Sequence, residues 1–107
     1  MSSSGSAKEK IIVTSALPYA NGPIHFGHIA GAYLPADIFV RYKKMNGADI
    51  IYVCGTDDHG VAITISAEAA GRSPEEHVKI NHDLIVSIFE RMNIDFTNFS
   101  GTSRKLH

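Results

Sequence analysis

Two short β-branched runs each break off into a polar, glycine-bearing loop, and one long helical segment lies between them. IIVTSAL, Ile11 to Leu17, is closed by Pro18, and DIIYVC, Asp49 to Cys54, gives way to GTDDHG, Gly55 to Gly60. Runs this short and this continuously apolar read as buried strands, the first as a central strand rather than an edge. Between them, HIAGAYLPADIFVRYKKM from His28 to Met45 carries apolar side chains at 29, 33, 34, 38, 40 and 45. That spacing predicts a mostly buried helix. Arg41, Lys43 and Lys44 form its solvated end against the helix dipole, and Gly47 stops it. Pro35 has no N–H for the helical ladder and is expected to bend the helix or break its first turn. A strand, a helix and a second strand in this order form a parallel β–α–β unit with its crossover over one sheet face.

Further along, Val61 to Ala70 is expected to be a helix ending at Gly71. Ser73-Pro74-Glu75-Glu76 is a capping box with proline at the first helical position. The helix that follows carries an apolar stripe of Ile80, Leu84, Ile85, Ile88, Phe89 and Met92 as far as about Arg91. His77 and His82 lie five apart on it and read as local structure or surface, since that spacing does not place them on a common face. Beyond Asn93 a short extended segment and a loop are expected. Met1 to Lys10, rich in Ser, Gly and Lys, reads as a flexible lead-in. The fold class is therefore α/β. Two or three buried parallel strands need neighbours that 107 residues do not supply. The chain reads as the first half of a Rossmann-like nucleotide-binding fold, incomplete by itself.

Composition removes several alternatives. A formal charge of -1 predicts no broad basic surface for nucleic acid. A single cysteine forms no internal disulfide, which fits a reducing compartment, taken as the cytoplasm. No run approaches the length needed to span a bilayer, and no signal-like apolar core opens the chain, so no membrane partner is expected. G-x-G-x-x-G and the P-loop pattern are both missing.

In open α/β sheets ligands settle beyond the C-terminal strand ends. Both polar loops fall there: Pro18 to His28 after the first strand, Gly55 to Gly60 after the second. The first loop leads into a helix N-terminus, whose free N–H groups and dipole favour phosphate. Gly27 there permits close approach of backbone and ligand. His25 and His28, three apart, suit donation to one phosphate; by spacing alone they read equally well as a cap and a surface residue. A mixed metal set of His25, His28, Cys54 and Asp57 is disfavoured, because zinc ligands come in tighter pairs and Cys54 ends a buried strand. No metal site is assigned. Asp57 and Asp58 suit a ligand ammonium, magnesium beside a nucleotide, or the cap of the 61–70 helix, and for Asp58 the cap is preferred. Leu17 and Tyr19 suit a small side-chain pocket or ordinary packing.

The stretch TSALPYANGPIHFGHIAGAYLPADIFVRY, Thr14 to Tyr42, closely resembles the N-terminal part of methionyl-tRNA synthetases, which are class I aminoacyl-tRNA synthetases. His25-Phe26-Gly27-His28 is similar to the HIGH signature of that class. ALPYANG before it, CGTDDHG at Cys54–Gly60 and GRSPEE after it make the likeness specific, and it runs from about Ile11 to the end. The resemblance implies activation of methionine by Mg-ATP to methionyl-adenylate, then transfer to tRNA(Met). It implies that His25 and His28 are catalytic, that His25, Gly27 and His28 bind ATP, and that Ala16, Leu17, Tyr19 and Asp57 bind methionine. His59 receives no role.

The resemblance also implies parts that lie outside these residues. They are the second, lysine-rich signature loop, a connective insertion with zinc, the other half of the nucleotide fold and an anticodon-binding domain. Residues 11–107 are accordingly expected to be the N-terminal part of the catalytic domain up to about the start of that insertion. The remainder of the same polypeptide would complete sheet and site, and the piece alone would be inactive. The competing expectations are a non-catalytic fragment or interaction module that retains the fold, and a class I synthetase for another aliphatic amino acid.

Overall fold

The computed structural model describes residues 8–105. Strand β1 spans Lys10–Thr14, and a helical segment follows from Phe26 to Met45. That segment consists of a short α1 (Phe26–His28), a π-helical turn (Ile29–Tyr33) and α2 (Leu34–Met45). Then come β2 (Asp49–Thr56), α3 (Val61–Ala69), α4 (Pro74–Arg91) and β3 (Asn98–Gly101). The strands form a parallel sheet in the order β1-β2-β3, with Ile11 opposite Ile50, Val13 opposite Tyr52 and Cys54 opposite Phe99. The parallel β–α–β expectation holds. The expected lead-in falls mostly outside the described residues, and order begins before its predicted limit: Lys10 is already in β1, and Glu9 accepts the Asp49 N–H.

One face of the sheet is covered. Ile50, Tyr52 and Cys54 of β2 share a buried cluster with Ile29, Tyr33 and Val40 from the first helical segment and with Ile85, Phe89 and Ile94 from α4 and its exit. Tyr33 meets Phe89 edge-on at 4.9 Å. Each fully buried side chain of this size contributes roughly 1.5–3 kcal/mol, so this cluster is what fixes both helices on one side. Ile12, 71% exposed, and Ile51, directly opposite it in register, point to the other side, which no described element covers. Among the described residues β1 is thus an edge strand with one bare face, and β2 alone is central. In β1 the period of two turns Ile11 and Val13 to the covered face and Ile12 to the bare one.

The helix starts follow their local signals. Ser73 accepts the Glu76 N–H at 3.2 Å, and Pro74 takes the first helical position. Gly71 closes α3 at φ 71°, where a side chain would be strained. Pro35 stands at the first turn of α2, directly after the π turn in which Leu34 N–H bonds to Ile29 O five residues back, so the interrupted first turn is the expectation that is met. The mostly buried character expected of this helix is only partly met, because Ile38, Phe39, Tyr42 and Met45 are exposed while Val40 is buried. The α4 stripe is likewise narrower than its letters: Ile85 and Phe89 are buried, whereas Ile80, Leu84 and Met92 are substantially exposed. Arg41 is not a free dipole complement. Its guanidinium pairs with the buried Asp37 carboxylate at 2.7 Å and donates to Asn93 O, while Asp37 accepts the Asp95 N–H. That arrangement ties α2 to the turn after α4.

Candidate active site

The two polar loops meet at the C-terminal edge of the sheet. β1 stops pairing at Thr14, and the ladder resumes at an isolated bridge between Tyr19 and Asp57. Asp57 N donates to Pro18 O at 2.8 Å, and Ala20 N donates to Asp57 O at 3.0 Å. The intervening segment is held from below. Ser15 and Tyr52 hydroxyls lie 2.6 Å apart, the Cys54 thiol donates to Ser15 O, and Tyr33 OH donates to Ala16 O. Burial, with smaller contributions from Cys54 and Tyr52, pushes the Tyr33 phenol up to about 12, so it stays protonated and donating. Burial likewise raises the Cys54 thiol, as befits a small packed side chain rather than a reactive one.

Above this support lies a cleft of about 410 Å³ lined by Ala16, Leu17, Tyr19, Asn21, Ile24, His28 and Tyr33, among others. Leu17 is 42% and Tyr19 38% exposed among the described residues, so both side chains are open to the cleft. His25 takes the N-cap position of α1, with extended φ and ψ of -99° and 170°. Its ring stacks on that of His28 with centroids 3.8 Å apart and planes 24° off parallel. A Cβ on Gly27 would stand 3.3 Å from the His25 ring, so the glycine makes room for the stack. The sequence-derived residues therefore fall into three connected sets. Ala16, Leu17, Tyr19 and His28 line one cleft; His25 and Gly27 join it through the stack; Asp57 joins it through the main chain of 18–20 and is not among the lining residues. Among the described residues no three His, Cys, Asp or Glu side chains gather as a metal-binding group.

Asp58 departs from its expected role. Gly60 stands at the N-cap of α3, and no side chain caps that helix. Asp58 is buried, and its carboxylate accepts from Thr56 OH at 2.5 Å and from Ser103 N–H and Oγ at 3.1 and 2.8 Å. Burial alone would raise this acid, but the three hydrogen bonds outweigh it and hold the carboxyl below the ordinary range. Thr56 has one hydroxyl proton and gives it to Asp58, so at 2.9 Å it accepts from His82 Nδ1–H. Burial, and then Arg104, lowers the His82 pKa and keeps the ring neutral. His59 is exposed beside these groups.

The second correction concerns α4. His77 and His82 are both buried, not surface residues. Each reaches a different loop: His77 bonds Asn21 of the first at 2.8 Å, and His82 bonds Thr56 at the head of the second. Their spacing, too wide for a shared face, is what lets one helix engage both. A signal was present in the letters, because 77, 81, 85 and 89 form one i+4 row. The face that buries Ile85 and Phe89 continues through Asn81 to His77.

Similarity to known proteins agrees with this geometry. The family described as tRNA synthetases class I (M) matches residues 11–107. A methionine–tRNA ligase of Rubrobacter xylanophilus is 60% identical over 99 residues, covering 92% of this chain and 17% of the relative. One of Protochlamydia amoebophila is 54% identical over 99 residues, covering 92% and 14%. Among solved structures, Mycobacterium tuberculosis methionyl-tRNA synthetase in complex with methionyl-adenylate superposes with a TM-score of 0.88 at 31% identity, covering 92% of this chain and 19% of that one. The chain thus spans less than a fifth of the length of these relatives. With the HIGH-like loop, the strand-end cleft and residues 11–107 all in agreement, the chain belongs to the class I methionyl-tRNA synthetase family, within the N-terminal part of its catalytic domain.

Proposed function

We propose that this chain carries the HIGH-signature half of a site that activates methionine with ATP and passes it to tRNA(Met). The observation that carries the reading is the stacked imidazole pair at a helix N-terminus, beside a cleft walled by residues 16, 17 and 19. A methionine carboxylate oxygen attacks the α-phosphorus, the bond to the bridging oxygen breaks, and pyrophosphate leaves with the electron pair. No enzyme nucleophile takes part, so the task is placement and stabilisation of growing negative charge. His25 and His28 donate to the phosphoryl oxygens, and the first-turn N–H groups add to the field. Gly27 leaves space for the nucleotide as well as for the His25 ring. Ala16, Leu17 and Tyr19 wall the amino-acid side chain, and Asp57 receives its ammonium. None of the described residues lining the cleft is a carboxylate, and magnesium is taken as part of the Mg-ATP substrate.

The remainder of the polypeptide supplies the other half of the site, with zinc in its connective domain, and covers Ile12 and Ile51 on the bare sheet face. The protein acts in the cytoplasm; among the described residues no helix is long and apolar enough to cross a membrane.

The test is amino-acid-dependent ATP–pyrophosphate exchange by the full-length enzyme. Methionine is expected to drive it, and dependence on leucine or valine instead, or no exchange at all, refutes the proposal. His28→Ala is expected to lower kcat about 10²-fold, the scale of one lost transition-state donor. Asp57→Ala is expected to raise KM for methionine more than for ATP; equal effects would remove Asp57 from the ammonium site.

A further inference from the structure

His77 lies outside the groups to which a reaction step has been given, and its two hydrogen bonds fix more than its own position. Arg72 Nη1 lies 3.2 Å from His77 Nδ1, and Asn21 Oδ1 lies 2.8 Å from His77 Nε2. A guanidinium only donates, so Nδ1 holds the lone pair and the ring proton sits on Nε2. His77 Nε2–H therefore donates to the Asn21 oxygen. The turn of α4 that carries His77 is also tied by a side chain, since Asn81 Nδ2 donates to the His77 backbone carbonyl at 2.9 Å. A carboxamide is planar, with oxygen and nitrogen on separate limbs. Committing the oxygen to α4 leaves the NH2 limb of Asn21 as the end that donates elsewhere, and Asn21 lines the same cleft as His28.

We infer that His77 is a positioning residue for amino-acid activation: through Asn21 it presents an amide donor to the anionic nucleotide in the cleft, and Arg72 selects the imidazole tautomer that allows this. The inference rests on the proposed ATP and methionine site. It assigns α4, whose histidine faces a loop and not a ligand, a part in nucleotide binding.

The experiment uses the full-length enzyme and measures kcat, KM for ATP and for methionine, and the thermal midpoint. The variants are His77→Leu, His77→Gln and Arg72→Met. Glutamine places an N–H donor near the reach of Nε2. His77→Leu is expected to lower kcat/KM for ATP about tenfold with a smaller change for methionine, and His77→Gln to recover to within about threefold. Arg72→Met, which frees the other tautomer, is expected to move in the same direction by less. Wild-type kinetics in His77→Leu overturn the inference, as does equal impairment of the leucine and glutamine variants with matching losses of thermal midpoint. If His77→Leu does not fold, Arg72→Met decides: an unchanged KM for ATP overturns the inference, and a raised one supports it. A wild-type enzyme without methionine-dependent exchange removes the functional proposal and this inference together, whereas normal exchange with indifferent variants removes this inference alone.

Discussion

Gly60→Ala tests whether the two loops act as one structure. Gly60 has φ 138° and ψ 154°, a region that glycine occupies almost alone, and an alanine there costs about 1–3 kcal/mol in backbone strain. A Cβ would also overlap the Tyr19 hydroxyl and stand 3.1 Å from Tyr19 Cζ. Forced overpacking of that kind costs about 1–3 kcal/mol more if nothing moves. The Tyr19 ring is 38% exposed and free to swing outward, so most of the second cost is relieved by displacing a wall of the cleft. Gly60→Ala is thus expected to lower stability by about 1–3 kcal/mol and to raise KM for methionine about tenfold. Tyr19→Phe removes the nearest overlapping atom. In the Gly60→Ala background it should restore part of the lost KM while leaving the backbone cost in place. The assay is methionine-dependent pyrophosphate exchange with thermal midpoints for the four members of the cycle in the full-length enzyme. Unchanged KM in Gly60→Ala, or effects of the two substitutions that add to within about 0.5 kcal/mol, would refute the contact as the cause.

Other perturbations probe the buried polar groups. The Asp58 carboxyl is held below its ordinary range, so it contributes stability above its unfolded pKa of about 3.9 and loses it as pH falls through the lower folded value. Asp58→Leu should therefore lower the thermal midpoint at neutral pH and flatten its acid dependence below about pH 4; a midpoint equal to wild type at pH 7 would contradict the role of the three bonds. For His82 the folded pKa lies below the usual value of about 6.5, mainly through burial, so the unfolded chain binds the extra proton first. Stability should decline as pH drops from about 6.5 towards the folded value, and His82→Gln should remove that decline; an unchanged slope in the variant would refute it. Tyr33→Phe deletes the donor to Ala16 O, at a cost of about 1 kcal/mol, and should raise KM for methionine with little change in KM for ATP.

Local signals were the most legible part of the chain. The box at Ser73 set the start of α4, and β-branched runs located β1 and β2, because both are decided by chemistry within a few residues. Which face of β1 the helices cover was not legible, since Ile11, Ile12 and Val13 present apolar side chains to both sides. Asp58 was misread because its partners, Thr102 and Ser103, lie more than forty positions away and become neighbours only when β3 joins the sheet. His77 and His82 failed for the same reason: neither loop is near them in sequence. Of the candidate site, the strand-end loops and the histidine spacing could be read directly. The stack of His25 on His28, the support of Ala16 by Tyr33 and the tie of Asn21 to α4 could not. Each is a three-dimensional fact; the i+4 row of 77, 81, 85 and 89 announced only that His77 is buried, not which loop it meets.

The π turn at 29–33 takes in an extra residue while the helix axis runs on. An α-helix advances about 100° per residue, and a π turn inserts one extra residue without breaking the rod. The signature histidines sit on one side of that insertion and the sheet-packing residues of α2 on the other. Five residues here cover roughly the rotation that four cover in an α-helix, so His25 and His28 keep nearly the phase relative to Val40 that an unbroken helix one residue shorter would give. What the turn adds is placement of its own side chains: Ile29 and Tyr33 both reach the core, and Tyr33 also reaches Ala16 O. Shortening the turn would thus fall on the floor of the cleft before it reached the direction of the signature pair.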